Sequence, residues 1–240
     1  MGTNLGSIAE NLRQVRHRID RACTECNRSP QHVTLLAVSK TCPADAVRAA
    51  VAAGQRAFGE NYVQEALVKI EALTDVRAQL EWHLIGPLQS NKTRVVAEAF
   101  DWVHTVDRLK IAERLAAQRP ENLPPLNICL QVNVDGEASK SGVSFDDLPA
   151  LARAVAILPG LRLRGLMSIP EPVDGMAAQR APHRRLREAF MALREQQGLA
   201  LDTLSMGMSA DLEAAVLEGA TLVRVGSAIF GARSQAASRL

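Results

Sequence analysis

Leu5, Ile8, Leu12, Val15 and Ile19 recur at helical spacing, and the stretch from Asn27 to Pro30 ends the pattern. After this opening helix, short apolar runs alternate with amphipathic segments. Val33–Val38 reads as a strand, and a helix over Ala44–Ala53 stops at Gly54. A short strand near Arg56–Phe58 leads into a helix from Asn61 to Leu73. Glu81–Ile85 and Asp101–Thr105 are strands, each followed by a helix, about Leu88 to Ala97 and Arg108–Gln118. Leu126–Val134 is the longest strand, and Phe145–Leu158 is helical. Leu161–Met167 is again a strand, followed by a helix from about Pro182 to Gln197. Thr203–Met206, a helix over Ala210–Glu218, and Leu222–Val225 complete the series.

About eight strands, each followed by a helix or turn, predict a parallel sheet that closes: a (β/α)₈ TIM barrel with an extra N-terminal helix. A doubly wound open sheet is the alternative. No linker or composition shift interrupts the pattern, so residues 1–240 read as one domain. Aromatics are only 3% of the chain, so Ala, Leu and Val must fill the core. That suits strands buried on both faces.

The net charge of +2 lacks the basic stripe of a nucleic-acid binder. The most basic stretch, Arg180 to Arg187, reads as a solvated helix face. Cys23 and Cys26 have CxxC spacing but no second ligand pair. They read as structural thiols rather than a metal or redox site, in a protein expected to work in the cytoplasm. No apolar run approaches the length of a membrane span, and no leader is read at the start. Met1-Gly2 lacks the Ser or Thr that a myristoylation signal needs, since Gly6 stands there.

In such a barrel the loops after the strand C-termini form the active face. The first strand ends in Ser39-Lys40-Thr41. A lysine there either enters the mouth, where partial desolvation favours the neutral amine needed for a Schiff base, or snorkels at the surface. The last strand runs into Gly226-Ser227, ahead of a short apolar turn whose N–H groups could cradle a phosphate. Ser209, after the seventh strand, suits either a helix cap or the same phosphate. An amine and a phosphate cradle at one mouth suit a phosphorylated aldehyde such as pyridoxal 5'-phosphate. His83 reads equally as a pocket wall or a hydrogen-bonded core histidine, and Lys140 as a loop lysine or a second amine. No metal-like cluster is read.

Six segments extend this picture: AVSKT at 37–41, FGEN at 58–61, WHLIGPLQSNK at 82–92, VNVDGEASKSGV at 132–143, GLMS at 165–168 and LSMGMSADLEAAVLEGATLVRVGSAIFGAR at 204–233. In these the chain resembles the pyridoxal-phosphate homeostasis proteins (the YggS/PROSC-like family), which share the barrel of alanine racemase's N-terminal domain. The resemblance implies that Lys40 forms a Schiff base with the cofactor and that Ser209, Gly226 and Ser227 hold its phosphate. It places Arg224 against the pyridine nitrogen, and Asn61, His83 and Met167 around the pocket. It implies a role in supply and balance of the cofactor, with cofactor-dependent apoenzymes as partners.

Two positions depart from the family pattern. Some members carry a second lysine two places after the first; here it is Cys42, which leaves a relay through that position unsupported. Ser227 stands where many relatives have Thr, and it keeps the hydroxyl and the N–H.

An arginine facing the ring nitrogen can only donate, so it would leave that nitrogen unprotonated and the ring a weak electron sink. A racemase of the alanine type needs a second base, and the chain's one tyrosine, Tyr62, reads as helix packing. The expectation is therefore a monomeric cofactor carrier with no catalytic residue. A weak amino-acid racemase is the alternative, and a scaffold with a vestigial pocket a third possibility.

Overall fold

A computed structural model describes residues 5–137 and 139–231; Met1-Gly2, Ala138 and Ala232-Arg233, on which parts of the sequence reading fall, lie outside them. The strands are β1 (Thr34–Val38), β2 (Ala57–Glu60), β3 (Glu81–Leu84), β4 (Trp102–Val106), β5 (Leu126–Gln131), β6 (Leu161–Met167), β7 (Thr203–Ser205) and β8 (Leu222–Val225). They form a closed barrel in chain order. Closure is made by β1 and β8, paired in parallel from Thr34↔Leu222 to Ala37↔Val225. This pairing gives the expected TIM barrel and removes the open sheet as an alternative.

The helices are α1 (Leu5–Glu25), α2 (Ala44–Ala52), α3 (Val63–Ala72), α4 (Thr93–Ala99), α5 (Leu109–Gln118), α6 (Leu148–Ala156), α7 (Met176–Gln197), α8 (Leu212–Leu217) and α9 (Ser227–Phe230). The apolar stripe Ile8, Leu12, Val15 and Ile19 of α1 is buried. That helix packs beside α2, α8 and α9, where the barrel closes. Among the described residues no helix is long and apolar enough to cross a membrane.

Each strand sends alternate residues to opposite faces. Leu35, Ala37, Phe58, Trp82, Leu84, Ile128, Leu130 and Val223 join one large cluster with the helices. Residues of the other parity make two smaller clusters in the barrel interior. Leu36, Val38, Ala57, Ile85 and Leu222 form one; Trp102, Cys129 and Met167 form the other.

Several boundaries differ from the sequence reading. Helix α7 begins at Met176, six residues before Pro182, which lies inside it. The proline forgoes only the bond its nitrogen would make one turn back, and the flanking turns persist. Helix α6 begins at Leu148, because the Ser144 hydroxyl instead accepts the Asp147 N–H at 3.1 Å in a turn. Strand β5 ends at Gln131, and Val132 bridges Val143 across the loop.

The basic stretch of α7 is a half-solvated face with a buried partner. Arg180, Arg184 and Arg187 converge on the fully buried Glu218, at 2.7, 3.0 and 2.9 Å. Burial pushes the Glu218 carboxyl up, but the arginine hydrogen bonds and charges outweigh it and hold it below its usual range. The stabilisation from this carboxylate is thus present above the unfolded value of a glutamate and fades as pH falls through the lowered folded value. Replacement of Glu218 by Ala should lower the unfolding free energy by about 1–3 kcal/mol, since three half-exposed cations lose their shared acceptor. Urea denaturation at neutral pH measures the loss, and most of it should vanish in strongly acidic solution.

Candidate functional site

Because all eight strands are parallel, their C-termini open on one mouth. Strand alternation then selects the side chains that face it. Lys40 shares the parity of Leu36 and Val38, and Asn61 that of Ala57 and Gly59. Met167 belongs to the interior cluster at the end of β6, and Arg224 is buried on β8 with the parity of Leu222. Gly226 follows two residues later; a Cβ there would sit 3.1 Å from the Val38 carbonyl, so glycine lets the end of β8 lie against β1. At Gly86 a Cβ would collide with the Asn61 carbonyl at 2.2 Å, so glycine admits the Asn61 backbone.

The turn that carries Lys40 is strongly constrained. Cys42 N–H closes it on the Ser39 carbonyl at 3.0 Å. Thr41 has a φ of 64°, a left-handed conformation costly for a β-branched residue, of order 1–3 kcal/mol. Behind the turn, the Ser39 hydroxyl donates to Glu60 Oε1 at 2.5 Å, and Thr41 N–H donates to Glu65 Oε1 at 2.6 Å. The buried Lys69 ammonium on α3 donates to the Ser39 carbonyl and to Glu60 Oε1, both at 2.7 Å. It also pairs with Glu65 at 2.6 Å. Burial pushes the Glu60 carboxyl up although Lys69 and Ser39 pull it down. Burial also raises the Cys42 thiol to about 11.

A polar chain crosses the barrel interior. Arg224 donates through one Nη to Ser205 Oγ at 2.8 Å and through the other to the Ser168 carbonyl at 2.7 Å. Ser205 Oγ lies 2.8 Å from His104 Nδ1, and His104 Nε2 lies 2.9 Å from His83 Nδ1. His83 Nε2 faces Glu81 at 3.6 Å, and its ring stacks on Trp102. An arginine can only donate, so Ser205 Oγ accepts from Arg224 and keeps its own proton and a second lone pair for the contact with His104. The contact between the two rings pairs one N–H with one bare nitrogen, which neutral imidazoles supply. Burial drives His83 below its ordinary value, and burial with the charges of His83 and Arg224 drives His104 well below it. Burial also lowers Arg224 to about 10, so the guanidinium stays charged at neutral pH.

The loops after β7 and β8 are pinned from outside by α1. Arg18 donates to the Ser209 carbonyl at 2.9 Å and pairs with Glu213 at 2.7 Å, while Asn11 donates to the Ile229 carbonyl at 2.9 Å. Ser209 is not a helix cap. Asp211 stands before α8, and its carboxylate accepts Met208 N–H at 2.7 Å and meets the buried His183 at 2.9 Å. Ser227 is exposed at the start of α9, where Ile229 and Phe230 N–H both return to the Gly226 carbonyl.

Lys40, Asn61, Met167, Arg224, Gly226 and the two loops that carry Ser209 and Ser227 thus come to one mouth. His83 lies within the barrel and is joined to Arg224 through His104 and Ser205, which matches the hydrogen-bonded core histidine among its two readings. Lys140 is engaged by Asp135 at 2.6 Å and Glu171 at 2.5 Å. Tyr62, expected to pack, is 58% exposed just before α3. The sequence reading missed Glu60, Glu65, Lys69, Ser168 and Ser205. Lys69 had a signal: it falls three residues after Ala66 and four before Leu73, on the buried stripe of α3.

Residues 4–234 match the family described as alanine racemase, N-terminal domain. The chain is 63% identical to the pyridoxal phosphate homeostasis protein of Pseudomonas aeruginosa, over 97% of this chain and 99% of that one. With the Escherichia coli K12 protein of the same name it shares 56% over 95% of this chain and 98% of that one. Among solved structures, PipY of Synechococcus elongatus with PLP bound is 43% identical with a TM-score of 0.82, covering 93% of this chain and all (100%) of that one. Alanine racemase from Corynebacterium glutamicum has the same fold at 18% identity and a TM-score of 0.69, and the match covers 98% of this chain and 63% of that one.

Two outcomes follow from the buried groups. Unfolded histidines take up protons near pH 6.5, whereas His83 and His104 in the folded interior do not. Stability should therefore be complete above that pH and decline below it, which urea midpoints at pH 7.5 and 5.5 would reveal. His104→Gln should reduce this decline. The Cys42 thiol should resist iodoacetamide at pH 8 in the native protein and react after denaturation, as peptide mapping would show.

Proposed function

Because the chain belongs to the pyridoxal-phosphate homeostasis protein family, built on the alanine racemase N-terminal domain, we propose that it binds pyridoxal 5'-phosphate, serves its homeostasis, and holds it as a Schiff base on Lys40. The observation that carries this reading is the mouth itself: Met167 and Arg224 face inward on β6 and β8, and Lys40 and Asn61 stand just past the ends of β1 and β2 at the same end of the barrel. The family relatives are named for the homeostasis of this cofactor, and PipY was solved with it bound.

The residues fit the group. Asn61 Oδ1 and the Ser168 hydroxyl are buried polar atoms without a protein partner beside the mouth, suited to a ligand bearing polar substituents. Lys40 supplies the amine, Met167 an apolar wall, and Arg224 a fixed donor toward a ring nitrogen. Ser209, Gly226 and Ser227 would hold the phosphate through N–H groups and hydroxyls. When bound, pyridoxal 5'-phosphate supplies a reactive aldehyde and a pyridine ring that can act as an electron sink. Arg224 stays cationic near neutral pH and can only donate a hydrogen bond. It therefore leaves the ring nitrogen unprotonated and weakens that sink.

The role that suits these residues is a carrier, a single-domain monomer of the cytoplasm that gives the cofactor to apoenzymes. The four cysteines are free, in keeping with a reducing compartment. A weak amino-acid racemase is the competing reading, and the exposed Tyr62 beside Asn61 is the observation in its favour.

Purified protein incubated with the cofactor should gain a visible absorbance band that borohydride converts to a stable adduct on Lys40. Lys40→Ala should abolish the adduct. An adduct mapping to another lysine would sink the attachment. Sustained exchange of an amino acid's α-hydrogen for deuterium, lost in Tyr62→Phe, would favour the racemase over the carrier.

A further inference from the structure

The residues on either side of Lys40 are tied to one ammonium group. Lys69 Nζ meets the Ser39 carbonyl, Glu60 Oε1 and Glu65 Oε1, and these three acceptors exhaust its three N–H donors. Glu60 Oε1 also accepts the Ser39 hydroxyl, and Glu65 Oε1 also accepts the Thr41 N–H. The Lys69 side chain is 4% exposed and that of Glu60 fully buried, so solvent screens this cluster little; Glu65, at 30%, forms its outer edge.

Ser39 and Glu60 have the outward parity of Ala37 and Phe58, so the cluster lies between the ends of β1 and β2 and helix α3. It is behind the strand wall, while Lys40 is on the mouth side. Its reach toward the mouth is through the backbone at positions 39 and 41. Thr41 needs such a hold, because its φ of 64° is one that a β-branched residue rarely adopts unaided. Of the non-glycine residues with positive φ among those described, Asn27 is at a helix end and Thr41 is beside Lys40.

We propose that Lys69 and Glu65 are positioning residues: a buried cation–carboxylate clamp imposes the left-handed turn at Thr41 and thereby fixes where the Lys40 amine meets an aldehyde. The inference rests on Lys40 as the attachment point. It also assigns the two neighbouring lysines opposite tasks. The amine of Lys69 is consumed by its three acceptors and takes no part in attachment, whereas its charge sets the stage on which Lys40 works.

Glu65 is the position to test, since it is on the outer edge of α3 and its variants should fold. In Glu65→Ala the Thr41 N–H loses its acceptor. In Glu65→Gln the side-chain oxygen still accepts it. Three readouts separate the roles. Amide exchange at Thr41 in ligand-free protein should accelerate on the order of tenfold in Glu65→Ala and stay within about twofold of wild type in Glu65→Gln. The rate of borohydride-trappable attachment of pyridoxal 5'-phosphate to Lys40 should follow the same pattern, slowing on the order of tenfold in the alanine variant. Affinity for pyridoxine 5'-phosphate, which has the phosphate but no aldehyde, should be unchanged in both, with thermal melts confirming that both fold.

Faster exchange at Thr41 with an unchanged attachment rate would overturn the proposal, because the clamp would then hold the turn without placing the amine. Unchanged exchange would overturn it as well. Weaker pyridoxine 5'-phosphate binding in the alanine variant would mean a general disturbance of the mouth. A wild-type adduct on a lysine other than Lys40 would instead remove the attachment reading on which the clamp depends, and peptide mapping distinguishes that result from the others.

Discussion

The pleat of β1 decides what Val38, Ser39 and Lys40 can each do. Consecutive residues of a strand face opposite ways. Val38 therefore closes the barrel interior, Ser39 turns outward to Glu60 and Lys69, and Lys40 turns back to the mouth. A one-residue slip of register would exchange all three roles at once. The pairing of β1 with β8 on one side and β2 on the other prevents that slip, and the buried cluster behind Ser39 reinforces it. The chemistry proposed for Lys40 thus depends on the barrel being closed, more than on any contact Lys40 makes at its tip.

The same alternation gives the barrel two kinds of interior. Leu36, Val38, Ala57, Ile85 and Leu222 fill one part of it with hydrocarbon. Beside them His83, His104, Ser205 and Arg224 form a hydrogen-bonded chain. Burial of these polar groups is tolerable because the links from Arg224 to His83 Nδ1 are all hydrogen-bonded, while His83 Nε2 at the end of the chain has no hydrogen-bond partner and faces Glu81 at 3.6 Å. Arg224 is held by Ser205 and the Ser168 carbonyl, and Ser205 is in turn held by His104.

Much of this was legible in the sequence. The alternation of apolar runs and amphipathic segments gave the barrel, and Leu161–Met167 and Leu222–Val225 were placed to the residue, because leucine and valine dominate both and glycine marks a boundary of each, Gly160 before the first and Gly226 after the second, even though Arg162, Arg164 and Arg224 interrupt the apolar runs. The mouth residues were legible because they stand at or just past strand ends: Met167 closes β6, Arg224 is one residue from the end of β8, and Lys40 and Asn61 follow β1 and β2. The supporting residues were not. Lys69 reads as an ordinary helix lysine until its three acceptors, from two strand ends and its own helix, are brought together by folding. The arginines of α7 read as solvated because their common partner, Glu218, is more than thirty residues away. Ser209 suits a cap as well as a phosphate ligand in the sequence, and folding removes only the first, since Asp211 occupies the cap position.

Helix α1 reaches across the seam to the Ser209 and Ile229 carbonyls, so a helix that precedes β1 supports loops that follow β7 and β8. While the chain is being synthesised, Lys40 has emerged long before β8, but it has no Arg224 beside it and no Gly226 against Val38. A nascent chain exposes an amine without the site that would retain a ligand. Only a chain finished through β8 can unite both halves of the mouth. The two halves of the mouth therefore exist only as a pair, and the β1–β8 seam is what makes them one.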